Sequence, residues 1–196
     1  MPRRALEVCG YSITRVVTST DITPLGTDSA PNCAAVAWPT VAVSSYIARL
    51  RRFVGHDLLL IPAVATLIHD DAGNLLLVRQ SDNGKWATVG GAIDPGEGPV
   101  EAAVREAKEE TGLDVGIEQL LGVVGGGKEF EITYPNGDRV AYISTVYTAH
   151  VISGEMQTDG DEITEVRWFA AQELATAELN AFARSLLARF DYKLTP

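Results

Sequence analysis

Three glutamates near the middle of the chain have the spacing of one helical face. Glu106, Glu109 and Glu110 stand at positions i, i+3 and i+4, so a helix projects their carboxylates from the same side. Three like charges on one short patch repel, and helix stability alone does not favour them. A hard divalent cation with a preference for oxygen ligands offsets that repulsion, typically Mg²⁺ where phosphates are also bound. The spacing therefore predicts a metal site that acts on a phosphorylated substrate.

The residues that precede these glutamates predict a tight loop held against the helix. The loop IDPGEGP follows Gly91 and is rich in glycine and proline, which favour turns. Gly91 lets the main chain approach a bound group closely, and a carbonyl there can join the metal ligands. An ion pair between Glu97 and Arg105 would fasten the loop to the helix and orient the neighbouring carboxylates. Charge neutralisation alone is the alternative for Arg105.

The stretch from Gly91 to Leu113, GAIDPGEGPVEAAVREAKEETGL, resembles the Nudix box, the signature of the Nudix hydrolases. All seven fixed residues of that signature are present at the family's spacing: Gly91, Glu97, Arg105, Glu106, Glu109, Glu110 and Gly112. Two positions differ from the usual pattern. Ala107 replaces a larger aliphatic residue, and Val89 stands where proline is frequent. Neither supplies a ligand, so we expect a looser seat for the helix and unchanged chemistry.

The resemblance implies a metal-dependent hydrolase that cleaves the pyrophosphate bond of a nucleoside diphosphate linked to another group, X. Water activated by Mg²⁺ or Mn²⁺ would attack phosphorus. The implied metal ligands are Gly91, Glu106, Glu109 and Glu110, and the implied catalytic residues are Glu97, Arg105, Glu109 and Glu110. The base that accepts the proton of water would be a glutamate of the helix or of a distant loop. For the loop we select Glu162, with a simple acidic turn as the alternative.

Contacts to the substrate outside the metal site are predicted less directly. Arg79 ends a predicted strand and could reach a phosphate, whereas Trp86, Phe130 and Tyr134 could stack on a base. Aromatic residues in strands more often belong to the core. ADP-ribose-specific family members often carry a proline shortly after the box, and its absence from residues 125–128 disfavours that substrate.

A second hypothesis is a catalytically silent Nudix-fold module that senses a nucleotide or regulates a partner. Such modules tend to lose carboxylates of the box, and this chain retains all of them. Fused sensors usually carry a DNA-binding domain, for which the N-terminal residues are too few and too irregular. We therefore favour the enzyme.

Composition and charge narrow the expected partners. The net charge of −10 argues against nucleic acid and against an anionic membrane surface. No apolar stretch approaches the roughly 20 residues of a membrane span. Cys9 and Cys33 could pair in a disulfide, but we favour two free thiols of a cytoplasmic protein. The expected partner is a small nucleoside diphosphate derivative, and a homodimer is left open.

Hydrophobic periodicity predicts the elements that position these residues. Residues 1–43 show no sustained period and predict an irregular or disordered N-terminal arm, followed by a domain over 44–196. Ser44 and Ser45 can cap a helix over about 45–54. Its apolar stripe would contain Ile47, Leu50 and Val54, and its outer face Arg49, Arg51 and Arg52.

Strands and two further helices are predicted after residue 58. Residues 58–70 and 74–80 predict a β-hairpin, and Trp86 to Ile93 a short strand. Pro99 begins the catalytic helix and Gly112 ends it. The remaining predicted elements are strands near 115–124, 128–134, 139–152 and 166–169, with a hairpin at YPNGD, and a closing helix with a stripe of Leu179, Phe182, Leu186, Leu187 and Phe190. This order predicts an α+β fold with a mixed sheet between helical layers, the α/β/α sandwich that the resemblance also implies.

Overall fold

The structure is a computed structural model that describes residues 44–158 and 160–194. The predicted arm over residues 1–43 lies outside the described residues. Helix α1 (Ser45–Val54) begins after Ser44, whose side chain accepts a hydrogen bond from the main chain of Tyr46, and it ends at Gly55. These are the bounds that the capping pattern predicts.

Within the described residues, seven strands form one mixed sheet. The strands are β1 (Leu59–His69), β2 (Leu75–Gln80), β3 (Trp86–Ala87), β4 (Leu113–Gly125), β5 (Glu131–Thr133), β6 (Arg139–Gly154) and β7 (Ile163–Phe169). The order along the sheet is β3-β2-β1-β6-β4, with β5 paired to β6 and β7 paired to β2. Only β1 and β6 run parallel to each other among these pairs.

Among the described residues, three α-helices follow the first strands, α2 (Pro99–Thr111), α3 (Ala171–Leu174) and α4 (Ala181–Arg189), and a 3-10 helix covers Lys128–Phe130. The short α3 was not predicted. Side chains of a strand alternate between the two faces of a sheet. Accordingly, Leu67 packs in the cluster that includes α4 side chains, and Ile68 packs in the cluster that includes Ala107 of α2. The two helices therefore cover different faces, and the predicted α/β/α arrangement is confirmed.

The predicted hairpin of β1 and β2 is limited to its turn. The two strands pair only at His69 and Leu75, where the Asp70 carboxylate accepts main-chain hydrogen bonds from the turn. Beyond that point β1 pairs with β6, and β2 pairs with β7 along its whole length. Because the two strands separate, the segment that carries Gly91 can pair with the free edge of β1.

Helix α2 lies close to the sheet because its buried face is built from small residues. Ala102, Ala103 and Ala107 are all completely buried. Since interiors are close-packed, a small side chain lets the helix axis approach its neighbours. The expectation of a looser helix seat at Ala107 therefore finds no support.

Helix α1 is attached differently. Within α1, whose residues are all described, none is fully buried, and the side chain of Phe53 is 83% exposed. Arg49 and Arg52 are exposed as predicted. The prediction for Arg51 was wrong, because its side chain is only 12% exposed and turns toward the β5–β6 turn. No helix of the described residues is long and apolar enough to cross a membrane.

Candidate active site

The glycine pair before the loop is fixed by pairing with β1. The main-chain N–H of Val64 donates to the carbonyl of Gly91 at 2.9 Å, and that of Thr66 donates to Val89 at 2.8 Å. Gly90 has a φ of +146°, and an added Cβ would collide with the carbonyl oxygen of Val64. Glycine is therefore required there. A carbonyl oxygen has two lone pairs, so Gly91 keeps acceptor capacity beyond its bond to Val64.

Helix α2 begins and ends as its sequence predicts. Pro99 occupies the first turn, and the Gly98 N–H donates to the Glu101 carboxylate at 2.5 Å. Gly112 adopts a left-handed conformation with a φ of +75° and donates its N–H to the carbonyl of Lys108. Residues without a Cβ adopt this conformation at little cost. These two ends fix which residues of α2 face the loop.

Arg105 joins the loop to α2 through five hydrogen bonds. Its Nε and Nη2 donate to the two oxygens of Glu97 at 2.7 and 2.9 Å, and Nη2 also donates to the carbonyl of Ala92 at 3.1 Å. Its Nη1 donates to Glu106 at 2.8 Å and to Glu109 at 2.9 Å. The hydrogen bond with Glu97 raises the pKa of Arg105 and lowers the pKa of Glu97. The structure thus contains the predicted pair, and it also shows Arg105 between two of the predicted ligands.

The three glutamates differ in their surroundings. The Glu106 side chain is 14% exposed, and burial raises its pKa to about 7 against the opposing effect of Arg105. The Glu110 carboxylate accepts a hydrogen bond from the Gly90 N–H at 2.9 Å. The Glu109 side chain is 60% exposed. Glu106 and Glu110 are therefore the more enclosed carboxylates, whereas Glu109 is mostly exposed and is held by its hydrogen bond from Arg105.

These groups line one wall of a cavity of about 750 Å³. The predicted site residues that line it are Gly91, Arg105, Glu106, Glu109, Glu110, Tyr134 and Glu162. Glu97 reaches the cavity through Arg105. Glu162 comes from the segment before β7, and its carbonyl accepts a hydrogen bond from the Ser81 N–H at 2.8 Å. Glu162 lines the same cavity as the helix carboxylates. The pKa of Glu106 is raised mainly by burial, and the charge of Glu162 adds to that effect.

Three other predicted substrate contacts do not line the cavity formed by the described residues. They are Arg79, Trp86 and Phe130. Arg79 donates to the carbonyl of Gly84 at 2.9 Å and pairs with a carboxylate of β7. Trp86 packs edge-to-face on Phe169, with ring centroids 4.7 Å apart. Phe130 is buried in the core. These side chains do not reach the cavity because they make contacts within the sheet and the core.

A second wall of the cavity contains Tyr134, which was predicted, and seven residues that were not. It is formed by residues of α1 and of the β5–β6 hairpin: Ser44, Ile47, Arg51, Tyr134, Asn136, Asp138, Val140 and Tyr142. We call this set the α1–hairpin wall. The hairpin register pairs Ile132 with Val140, so alternation puts Tyr134 and Tyr142 on the same face. The YPNGD turn predicts the hairpin register, so the position of Tyr142 beside Tyr134 could have been inferred from the sequence. No nearby residue in the sequence indicates that the side chain of Arg51 turns toward the cavity.

The donor set of the carboxylate wall fits a hard divalent cation. Three carboxylates and the main-chain oxygen of Gly91 are the ligand types that Mg²⁺ and Mn²⁺ prefer. The carboxylate of Glu106 lies so close to Gly91 that an added Cβ would collide with it. As placed, no three acidic, histidine or cysteine side chains of the described residues surround one ion position. The Arg105 guanidinium lies between Glu106 and Glu109 and donates a hydrogen bond to one oxygen of each.

Comparison with known proteins adds the decisive observation. The family model of the NUDIX domain matches residues 59–190. The chain belongs to the Nudix family. This confirms the predicted Nudix hydrolase, and it leaves α1 outside the matched residues.

Individual relatives of this Nudix protein agree with that assignment. It is 36% identical over 137 residues to the ADP-ribose pyrophosphatase of Methanocaldococcus jannaschii, which covers 67% of this chain and 75% of that protein. It is 30% identical over 129 residues to a MutT-like protein of Streptomyces ambofaciens, over 66% of this chain and 76% of that protein. The crystal structure of a MutT protein from Methanosarcina mazei superposes with a TM-score of 0.56 at 30% identity, covering 69% and 95% of the two chains.

Proposed function

We propose that this Nudix hydrolase cleaves the pyrophosphate bond of a nucleoside diphosphate linked to another group, X, with the help of Mg²⁺ or Mn²⁺. One observation carries the proposal: Gly91, Glu106, Glu109, Glu110 and the distant Glu162 line the same cavity. Its volume of about 750 Å³ falls in the range of small-molecule sites. If the helix surface were acidic only for solubility, a glycine and a glutamate from other segments would not need to line the same cavity as its carboxylates.

The metal ions would be held by Glu106, Glu109, Glu110 and the carbonyl oxygen of Gly91. Bound there, divalent cations supply polarisation of the phosphoryl oxygens, a lower pKa for the attacking water and charge neutralisation at the leaving oxygen. The protein prepares the ligands. Gly90 orients Glu110 through its N–H, and Arg105 orients Glu106 while it ties the loop through Glu97.

We assign the role of general base to Glu162, which would take the proton of the attacking water. Support comes from its place in the cavity, on a different element from the helix carboxylates. A base must lie within hydrogen-bond reach of the proton that it accepts, directly or through one water. A glutamate of α2 is the alternative base. The pH dependence of the single-turnover rate of Glu162→Gln separates the two, because the variant loses the rise of the rate with pH if Glu162 is the base and keeps that rise if the base is a glutamate of α2.

The charge of the cavity is consistent with cation-dependent binding. Among the described residues that line it, seven are carboxylates and two are arginines: Asp82, Asp94, Glu106, Glu109, Glu110, Asp138 and Glu162 against Arg51 and Arg105. A polyphosphate approaching these charges is repelled unless cations lie between them. We therefore expect binding of the nucleotide, and not only the chemical step, to require divalent ions.

Two observations about ADP-ribose point in opposite directions. A relative at 36% identity is named an ADP-ribose pyrophosphatase. Residues 125–128, shortly after the box, lack the proline that ADP-ribose-specific family members often carry, and this absence disfavours ADP-ribose. ADP-ribose accordingly belongs in the substrate panel without being preferred in advance.

A nucleotide screen tests the proposed function. The panel contains nucleoside triphosphates, dinucleotides and nucleoside diphosphate sugars, each with Mg²⁺, with Mn²⁺ and with excess EDTA. We expect a nucleoside monophosphate from at least one compound, and only with metal. Turnover that survives EDTA, or a preference for simple phosphate monoesters, would contradict the proposal. Nucleotide binding without any product would instead support a sensing module.

A further inference from the structure

The α1–hairpin wall shares the cavity with the catalytic carboxylates but carries none of the Nudix-box residues. We propose that this wall binds X, and that X is an uncharged group bearing hydroxyls, such as a sugar. The inference rests on the proposed function, because it names the class of group that the same cavity accepts beyond the two phosphates.

A pair of tyrosine hydroxyls supplies the recognition chemistry. The hydroxyls of Tyr134 and Tyr142 lie 2.8 Å apart, and both residues line the cavity. Each hydroxyl has one hydrogen to donate and two lone pairs. Since their mutual bond uses one hydrogen, the pair retains one donor and several acceptor positions. This combination matches the hydroxyl of a sugar, which also donates and accepts.

The tyrosine pair remains neutral under ordinary conditions. Burial raises the pKa of Tyr134 and raises that of Tyr142 well above its usual value. Both phenols therefore keep their hydrogens. The pair and the carboxylates of α2 line the same cavity, so one substrate can contact both walls.

The cations of the cavity are already engaged, which disfavours an anionic X. Among the described residues that line the cavity, the cationic ones are Arg51 and Arg105. Nη1 of Arg51 donates to the carbonyls of Gly55 and Asp57 at 3.1 and 2.7 Å, and Nη2 donates to that of Arg139 at 2.8 Å. Its Nε lies 3.4 Å from the carboxylate of Asp138.

Arg105 is engaged in the same way, through the five hydrogen bonds that tie it to the loop and to the helix carboxylates. A further phosphate or a carboxylate on X would therefore be repelled by the carboxylates of the protein, and the guanidinium groups of Arg51 and Arg105 already have other partners. An uncharged group avoids that repulsion.

Contacts at both ends of helix α1 fix the position of this wall. The Ser44 hydroxyl donates to Asp94 in the Nudix loop, and Arg51 at the other end of the helix contacts Asp138 in the hairpin. The helix therefore spans from one wall to the other. The family match begins at residue 59, so α1 lies outside the matched residues. A helix outside the matched residues that lines the cavity is a suitable place for substrate selectivity.

The test uses three substrates that share the nucleoside chosen by the screen. They are its diphosphate joined to glucose, its diphosphate joined to glucuronate, and its triphosphate. Glucose and glucuronate differ at one carbon, where a carboxylate replaces a hydroxymethyl group. We expect kcat/KM for the glucose compound to exceed both others by about 10-fold or more. An equal or higher value for either anionic substrate would overturn the inference.

Two variants connect the preference to the tyrosine pair. Tyr134→Phe and Tyr142→Phe each remove one hydroxyl, and each should raise KM for the glucose compound by about 5- to 10-fold, with little change in kcat. The preference over the triphosphate should fall by the same factor. Tyr192→Phe is the matched control, because its hydroxyl bonds His69 at 2.8 Å away from the cavity. Melting temperatures show that each variant is folded.

The outcomes separate the two proposals. If no nucleotide is hydrolysed in the presence of metal, the proposed function fails. If the nucleotides are hydrolysed but both tyrosine variants retain the wild-type preference, the proposed function stands and the subsite is contradicted. Loss of preference in Tyr192→Phe as well would also contradict it, because the effect would then not arise in the cavity.

Discussion

The two walls of the cavity are held by different forces. The carboxylate wall lies on α2, which is anchored by three completely buried alanines and by the hydrogen bonds of Arg105. The α1–hairpin wall depends on a helix without a fully buried residue, attached through Ser44 and Arg51. Packed interiors resist small displacements, whereas a few polar contacts can change without loss of the fold. We therefore expect the carboxylate wall to preserve the chemistry and the α1–hairpin wall to adapt to the substrate.

The largest effect is expected from Glu109→Gln on the carboxylate wall. The change keeps the shape of the side chain and removes one charged ligand, so kcat should fall by about 100-fold or more. Because Glu109 is 60% exposed, the melting temperature should change little. Glu101→Gln is the matched control on the same helix, since Glu101 caps Gly98 and does not line the cavity. A near-normal kcat for Glu109→Gln at saturating Mg²⁺ would remove Glu109 from the site.

Much of the carboxylate wall could be predicted from the sequence because its residues are close along the chain. Helical spacing places the glutamates, and Glu97 and Arg105 are only 8 residues apart in the sequence. The YPNGD hairpin was likewise predictable, since the turn itself selects the pairing of β5 and β6.

The α1–hairpin wall could not be predicted in the same way because its contacts join distant parts of the chain. Helical periodicity places Arg51 on a polar face, but its partner Arg139 is 88 residues away. Similarly, nothing local shows that β2 pairs with β7 along its length. Aromatic character alone also did not separate the cavity-lining Tyr134 from the core residue Phe130.

A smaller effect is expected from Gly91→Ala, which tests the close approach within the carboxylate wall. The added Cβ would displace the carboxylate of Glu106, so kcat should fall by roughly 10- to 100-fold. Gly98→Ala is the control, because its Cβ would meet only the flexible end of Glu101. If both variants had equal kinetics, the contact between Gly91 and Glu106 would be irrelevant to catalysis.

The smallest change in rate is expected from Arg51→Met on the α1–hairpin wall. The variant keeps the apolar stem and loses the bonds to the hairpin, so KM should rise by about 5- to 10-fold while kcat stays within about 2-fold. Arg52→Met, which changes an exposed neighbour, should leave both constants unchanged. A fall in kcat as large as that of Glu109→Gln would show that the two walls are not separable.

Hydrolysis in ¹⁸O-labelled water tests the central claim most directly, because it reports which bond breaks and whether metal is required. With Mg²⁺ or Mn²⁺, hydrolysis should give two phosphate products, the nucleoside monophosphate and the phosphate of X. Mass spectrometry should find one ¹⁸O atom in only one of them. Excess EDTA should abolish the incorporation, and added Mg²⁺ should restore it. Label in neither phosphate, or incorporation that persists in EDTA, would contradict metal-dependent attack of water on phosphorus at the carboxylate wall.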